Sequence, residues 1–301
     1  MNSTPHRPWV TVRSADLVAE IDPLGAQLSV LRDRDGRDLL WDGDPSVWTG
    51  RAPLLFPIVG ELAGGVYRLG SSVYPLGRHG FARRSAFRVV ASQPAVALFR
   101  LTADAASLQI YPFRFELDIR FSVHGPTLAI TAELHNRGDV TMPASFGFHP
   151  AFCWPLPFGE ARQGHFIDFA QDESARVRRL DAHGLLMPER IPAPLTGRRL
   201  VLTDALFDHD AVIFDEVRSR SVTYGAAVGP RIRVDFPDAP MLGVWTKPHA
   251  GFICIEPWYG IADPEGYSGD FNAKPGIFHV AAGSIKTLPI EITLENDAIG
   301  A

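Results

Sequence analysis

Short stretches in which apolar and polar residues alternate recur along most of the chain. The clearest is residues 113–123, where every second position is apolar, a period that predicts a strand with one buried face. The same reasoning predicts strands at residues 87–90, 95–102, 127–135, 222–224, 231–236, 242–246 and 285–294. Residues 10–141 carry no apolar stripe at helical spacing, so this half of the chain is predicted to form strands rather than helices.

Turn-forming residues separate these stretches. Asp35-Gly36 is a hairpin signal, residues 66–76 predict a second hairpin, and Asp44-Pro45 begins a capped helical turn that reaches Trp48. The 25 prolines and 27 glycines are scattered along the chain, which is typical of short strands joined by tight turns. We therefore predict an all-β fold, a large antiparallel β-sandwich, with residues 1–301 forming a single domain.

The composition is that of a soluble globular protein, with 46% hydrophobic and 21% charged residues. A net charge of −5 argues against nucleic acid or an anionic membrane as a partner. Residues 1–9 lack the apolar core of a signal peptide, and no apolar run has the length of a membrane span, so a cytoplasmic location is expected. Cys153 and Cys254 lie in apolar stretches; buried free thiols are expected, with a disulfide as the alternative.

The apolar run at residues 251–255 predicts a buried strand, and an ionisable side chain lies where that strand is expected to end. Glu256 comes where that run ends, Pro257 removes the next backbone donor, and Trp258 and Tyr259 follow. A carboxylate among apolar residues is costly to bury, and burial raises its pKa toward neutrality, which suits a general base. The alternative is a glutamate at a strand end that is solvated or paired with an arginine, and this stretch alone does not decide between them.

A second ionisable side chain lies in the aromatic segment 146–152. In a strand, Phe146 and Phe148 share one face, while Gly147 and His149 share the other. The glycine leaves room for another group to approach closely, and Pro150 ends the pairing, which places His149 at a strand end. A histidine with a purely structural role is the alternative reading of this segment.

Five motifs in this order resemble the aldose 1-epimerase (galactose mutarotase) superfamily, and most closely its bacterial LacX-like branch. They are Arg51 before Pro-Leu-Leu-Phe-Pro-Ile-Val-Gly, His79-Gly-Phe-Ala-Arg83, Phe148-His149-Pro150, Asp210-Ala211, and Cys254-Ile-Glu256-Pro-Trp-Tyr-Gly-Ile-Ala-Asp263. The resemblance runs from about the tenth residue to the last predicted strand. It implies a β-supersandwich with an open sugar-binding groove.

The resemblance also implies roles for individual residues. Glu256 matches the catalytic base and His149 the catalytic acid. The residues that match substrate-binding positions are His79, Arg51, Asp210 and Trp258. Asp208 is an alternative to Asp210, because residues two apart in a strand point the same way. Asp263 is expected to be structural.

The expected function is interconversion of the α and β anomers of an aldohexose, a small-molecule sugar. Ring opening removes a proton from the C1 hydroxyl and delivers one to the ring oxygen, which a carboxylate base and a histidine acid supply if each is tuned near the working pH. The chemistry requires neither a metal nor an organic cofactor. The sequence gives no indication of oligomeric state.

Two other functions remain open from the sequence. A hexose-6-phosphate 1-epimerase needs extra cations at the groove, and Arg78, Arg83 and Arg84 lie near His79. A carbohydrate-binding or sensing protein that has lost turnover is the third reading. The presence of both Glu256 and His149 argues against that third reading, because binding alone needs no acid–base pair.

Overall fold

Antiparallel strands are the main regular secondary structure of residues 8–296, the part of the chain that the computed structural model describes. The strands are β1 Val10–Arg13, β2 Leu17–Asp22, β3 Gln27–Asp33, β4 Leu54–Leu55, β5 Val66–Leu69, β6 Ser72–Pro75, β7 Arg88–Gln93, β8 Val96–Thr102, β9 Phe115–His124, β10 Thr127–Asn136, β11 Met142–Ala144, β12 Phe146–Phe148, β13 Ala151–Cys153, β14 Phe166–Phe169, β15 Arg199–Val201, β16 Val212–Phe214, β17 Ser221–Gly225, β18 Arg231–Asp235, β19 Met241–Trp245, β20 Phe252–Tyr259, β21 Phe278–Val280 and β22 Ile285–Glu295. The all-β prediction is confirmed.

Helical segments are short. They are the α-helix α1 Ala105–Ile110 and 3-10 turns at Ala63–Gly65, Ala82–Arg84, Arg162–Gly164, Asp204–Phe207 and Phe271–Ala273. Within residues 8–296, no helix combines the length and apolar character needed to cross a bilayer. The sequence pattern did not reveal α1, because its six residues bury no apolar side chain and Asp104 starts the helix through a capping box with Ser107.

Two large sheets form the β-sandwich. The nine-stranded sheet has the order β15-β14-β17-β18-β22-β10-β9-β8-β7, and the six-stranded sheet has β16-β19-β20-β12-β4 with β13 also paired to β20. Side chains of both sheets meet in one buried core, where Phe121 and Ile290 of the first lie near Phe148 and Leu54 of the second. The predicted sandwich is therefore confirmed, whereas its division into domains stays a prediction.

The alternation predicted for residues 113–123 is present in β9. Phe115, Leu117, Ile119, Phe121 and Val123 are all buried, and the strand pairs with β8 on one side and β10 on the other. Because successive strand residues point to opposite faces, this row forms one wall of the core.

Strand β20 lies in the middle of the six-stranded sheet and is buried on both faces. Ile253 and Ile255 belong to the core between the two sheets, whereas Cys254 and Trp258 belong to separate clusters on the opposite face. Glu256 shares that opposite face, because it lies two residues from each of them. The six-stranded sheet therefore presents Glu256 on the side away from the nine-stranded sheet.

The expectation that Glu256 and Pro257 end the strand is wrong, because β20 continues to Tyr259. On one side, β19 pairs with it through residue 258. On the other side, the Ile255 N–H donates to the Pro150 carbonyl, and alternate backbone nitrogens face the same flank. The nitrogen of Pro257 therefore faces the side of β20 where β12 and β13 are interrupted. The missing N–H of the proline does not affect the pairing with β19 on the other side.

The interruption between β12 and β13 places His149 opposite Glu256. Gly147 pairs with Trp258 and Ala151 pairs with Cys254, so the intervening His149 aligns with Glu256 across the gap. The predicted position of His149 beside a strand end is confirmed, because β12 ends at Phe148.

Both cysteines are free thiols. Cys254 is fully buried and Cys153 is partly buried. The expected free thiols are confirmed, and the disulfide alternative is wrong.

Candidate active site

A cavity of about 250 Å³ lies on the outer face of the six-stranded sheet. Its walls are Trp48, Gly60, Arg78, His79, Arg83, His149, Leu180, Asp210, Ala211, Ile213, Trp245, Glu256, Trp258 and Ala262. Ligand pockets commonly measure about 300–1,000 Å³, so this cavity suits one small molecule. Aromatic walls combined with a few convergent polar groups are typical of a site that binds and orients such a ligand.

His149 and Glu256 form a buried pair in this cavity. His149 Nε2 lies 3.1 Å from Glu256 Oε2, and the two residues are only 7% and 1% exposed. Among the described residues, nothing makes a hydrogen bond to Glu256 Oε2, so the imidazole N–H and this oxygen are close without being aligned. A proton donor and a proton acceptor therefore face the same space.

Burial changes the pKa values of this pair in opposite directions. It raises the pKa of Glu256 well above 4.5, and the nearby Asp210 carboxylate raises it further. Burial lowers the pKa of His149 to about 3, with Arg78 and Arg83 acting in the same direction. The expectation that each group is tuned near the working pH is therefore wrong for His149 taken alone, and the two groups must be treated as one coupled unit.

Tryptophans enclose the His149 ring. Its centroid lies 5.3 Å from that of Trp48 and 5.9 Å from that of Trp245. The sequence identified Trp48 only as the end of a helical turn, and it lies directly after the turn at Asp44. Trp245 was missed, although it shares the cavity face of β19 with Gly243.

Trp258 lies across two glycines on neighbouring strands. A Cβ at Gly147 would lie 2.8 Å from its ring, and a Cβ at Gly243 would lie 2.6 Å from it. Only glycine permits such an approach. The space predicted beside Gly147 is therefore filled by the indole, which forms part of the cavity floor.

His79 is held in one tautomer by the backbone of Gly60. The Gly60 N–H donates to His79 Nδ1 at 3.0 Å, and the His79 N–H donates to the Gly60 carbonyl at 2.8 Å. Burial lowers the pKa of His79 well below 6.5, with His149, Arg78 and Arg83 adding to the effect. A neutral imidazole that accepts at Nδ1 carries its proton on Nε2, so His79 is a hydrogen-bond donor.

Backbone strain occurs at two of the cavity residues. His79 has φ +64° and Asp210 has φ +61°, values that non-glycine residues seldom adopt and that cluster at functional sites. Asp210 lines the cavity, whereas Asp208 is exposed outside it. The expected shared direction is wrong, because Asp204–Phe207 is a 3-10 turn and β16 starts only at Val212.

Comparisons with known proteins agree with the fold. The sequence model of the family described as aldose 1-epimerase matches residues 8–263. The chain belongs to the aldose 1-epimerase family. Protein LacX of Lactococcus lactis subsp. lactis is 32% identical over 297 residues, which cover 95% of this chain and 99% of LacX. The predicted resemblance, including its LacX-like branch, is confirmed.

Solved structures place this family member among galactose mutarotase-like proteins. A galactose mutarotase related enzyme from Lactobacillus acidophilus has a TM-score of 0.88 at 29% identity, covering 96% of this chain and 99% of its own. A galactose mutarotase-like protein from Lactobacillus casei has a TM-score of 0.89 at 28% identity, covering 95% of this chain and 100% of its own. The supersandwich expected of the family is confirmed.

One of the residues expected to bind substrate, Arg51, is absent from the cavity lining. Arg51 Nη1 donates to the Ser29 carbonyl at 2.8 Å, and its guanidinium lies 5.3 Å from the Trp9 ring centroid. The Arg51 side chain therefore lies between β3 and the N-terminal segment, and its expected contact with substrate stays a prediction. Arg78 and Arg83 are arginines that do line the cavity.

A buried ion pair supports the wall of the cavity behind Gly60. Lys274 Nζ lies 3.1 Å from Asp263 Oδ1, and the other oxygen of Asp263 accepts the Ala63 N–H at 2.9 Å. Gly60 itself packs against Ala262, where a Cβ would lie 2.5 Å from the alanine methyl. Asp263 thus joins the segment after Gly60 to the segment after β20, as its expected structural role requires.

Proposed function

We propose that this family member interconverts the α and β anomers of an aldohexose by acid–base catalysis at C1. The observation that carries the proposal is the buried His149–Glu256 pair, 3.1 Å apart in an aromatic-walled cavity of monosaccharide size. A carboxylate and an imidazole that face one space can remove one proton from a sugar and deliver another.

The protonation states available to Glu256 and His149 suit ring opening. When Glu256 is ionised and His149 is protonated, the carboxylate takes the proton of the C1 hydroxyl while the imidazolium gives one to the ring oxygen. The C1–O5 bond breaks, leaving an aldehyde, a protonated Glu256 and a neutral His149. After the aldehyde rotates, both transfers reverse and the ring closes on the other face. Because burial disfavours both charged forms, it brings the neutral pair closer in free energy to the ion pair.

The remaining cavity groups suit the rest of a pyranose. Trp48, Trp245 and Trp258 offer ring faces to the C–H side of the sugar. Asp210 can accept a hydroxyl hydrogen, and His79 Nε2 can donate to a hydroxyl or ring oxygen. These roles for His79, Asp210 and Trp258 are part of the proposal.

The proposal is tested by anomer exchange measured by NMR. Purified protein should accelerate exchange of α- and β-glucose, or of α- and β-galactose, beyond the rate in buffer. Wild-type protein that binds such a sugar without accelerating exchange would instead support the non-catalytic reading. Protein that neither binds nor turns over any aldohexose would reject the proposed substrate class.

A phosphorylated aldohexose is a second candidate, because Arg78 and Arg83 both line the cavity. Arg78 is paired only loosely, 3.8 Å from Asp210, and Arg83 Nε makes no hydrogen bond to any described residue. Arginines of this kind suit a phosphate.

If the substrate is phosphorylated, Arg78→Met should lower kcat/KM for glucose 6-phosphate by roughly 10-fold or more, since a hydrogen bond to a charged group contributes about 1.5–3 kcal/mol. Exchange of free glucose should fall by a smaller factor, because Arg78 acts on it only through its charge beside Asp210 and His149. Arg84→Met is the matched control, because the exposed Arg84 lies outside the cavity wall. Equal losses for both sugars would remove the phosphate candidate.

The pH profile should reflect the pair as a unit. The active form holds one shared proton, so activity falls at low pH when a second proton binds and at high pH when the first is lost. Since the pKa of His149 is lowered to about 3 and that of Glu256 is raised, we expect the acid limb to lie well below pH 6.5 and the alkaline limb to lie above the ordinary pKa of a glutamate. The profile of kcat/KM is measured by NMR exchange in buffer containing a chelator. An acid limb near pH 6.5, the ordinary value for histidine, would contradict this account.

A further inference from the structure

A thiol lies directly beside the acid–base pair. Cys254 Sγ, a ring nitrogen of His149 and a Glu256 carboxylate oxygen all lie within 4.8 Å of one another, and all three residues are buried. Cys254 and Glu256 are two positions apart on the same face of β20, and His149 aligns with Glu256 across the strand gap. Strand β20 and the strand gap beside it therefore bring sulfur, nitrogen and oxygen ligands close together.

The ligand atoms are available. Glu256 Oε2 makes no hydrogen bond to any residue in 8–296 although Glu256 is 1% exposed, and Cys254 is a free thiol. The contrasting cluster is Glu116, Asp118 and His135. Its carboxylates already bind Arg100 at 2.5 Å and 3.2 Å, so a cation there would have to displace an arginine.

The spacing fits a small tetrahedral cation. Bonds of about 2.0–2.3 Å from zinc to nitrogen, oxygen and sulfur place neighbouring ligand atoms roughly 3.3–3.8 Å apart. The His149–Glu256 separation of 3.1 Å and the 4.8 Å limit of the cluster lie on either side of that range. Side-chain shifts of about an ångström would close the site.

The donor set selects the kind of metal. Thiolate and imidazole favour zinc and similar borderline-soft cations, whereas magnesium and calcium take oxygen ligands. A thiolate and a carboxylate also balance two positive charges, which a buried site needs. His149 and Glu256 line the cavity and Cys254 lies outside its lining, so the fourth position of the metal faces the space where the proposed sugar sits.

We propose that Cys254, His149 and Glu256 form a binding site for a soft divalent cation of the zinc type, and that the cation competes with the sugar. The metal takes no part in the proposed reaction. It occupies the lone pairs of the acid–base pair and so blocks proton transfer. Binding of the metal itself does not depend on whether the protein turns over a sugar.

Calorimetric titration of the full-length, chelator-treated protein with zinc chloride tests the site. Cys254→Ala should weaken zinc binding roughly 100-fold or more, because it removes a direct metal ligand. Loss of a residue that only supports a ligand already costs about 10- to 100-fold in metal affinity. Cys153→Ala is the matched control, because Cys153 lies outside the cluster, and it should bind zinc as wild type does. Magnesium chloride should produce no binding at this site.

Two further measurements distinguish the possible outcomes. A cobalt(II) complex of wild-type protein should show a thiolate charge-transfer band that Cys254→Ala lacks, and a saturating sugar should raise the apparent Kd for zinc. Zinc affinity equal in wild type and Cys254→Ala, or unchanged by the sugar that the protein is shown to bind, would overturn the inference. Cys254-dependent zinc binding by a protein without anomer exchange would leave this inference standing and reject the proposed function alone.

Discussion

Replacing Glu256 with glutamine is expected to reduce kcat for anomer exchange by roughly 10²- to 10⁴-fold, the usual contribution of a positioned proton acceptor. The amide keeps the shape of the side chain but cannot take the C1 hydroxyl proton. Sugar affinity should change only a few-fold, because the cavity walls are preserved. Exchange rates are measured by NMR and sugar binding by calorimetry.

His149→Asn is expected to produce a loss of similar size, and the double variant should be little worse than either single one, because residues that act as a unit are not additive. Losses that multiply in the double variant would contradict a shared proton.

The stability of the Glu256 variant offers an independent check of the raised pKa. The folded-state pKa of Glu256 is raised, so ionising it costs stability as pH rises above about 4.5. Glu256→Gln should therefore be at least as stable as wild type at neutral pH.

Replacing Lys274 with methionine is expected to lower the free energy of unfolding by about 3–5 kcal/mol, because it leaves the Asp263 carboxylate buried without its cation. Both residues are only 3% exposed. The measurement is chemical denaturation followed by tryptophan fluorescence. Activity of the folded fraction should fall far less than in the Glu256 variant, since Lys274 lies outside the cavity lining.

An exposed ion pair supplies the control for Lys274. Arg32 Nε lies 2.7 Å from Asp38 Oδ1, with side chains 41% and 56% exposed, so Arg32→Met should cost about 1 kcal/mol or less. The double variant Lys274→Met/Asp263→Asn should regain part of the loss, since no unpaired charge remains. A Lys274 variant as stable as the Arg32 variant would show that the buried pair does not stabilise the fold.

The strands that the sequence predicted well are those with one buried face. In β9 the alternation of Phe115, Leu117 and Ile119 directly reflects burial. Strand β20 was predicted, but its predicted end at Glu256 is too early. Pro257 would end the strand only if its nitrogen faced an uninterrupted neighbouring strand. That depends on the gap between β12 and β13, which no local pattern reveals.

The site residues show the same limit. Glu256, His149, His79, Asp210 and Trp258 were all identified from motifs and do line one cavity. Arg51 was also identified, but the direction of its long side chain depends on Ser29 and Trp9, which are distant from it in sequence. Asp210 could not be separated from Asp208 because its left-handed backbone leaves no sequence signature beyond the aspartate itself.

The two buried faces of β20 divide one short segment between two evolutionary pressures. Ile253 and Ile255 belong to the core between the sheets, so they are constrained by the ability to fold. Cys254, Glu256 and Trp258 lie on the cavity side, so they are constrained by chemistry and ligand choice. Mutational tolerance should therefore change with every residue along this strand. Ligand preference can change through Trp258 while Ile253 and Ile255 keep the chain folded.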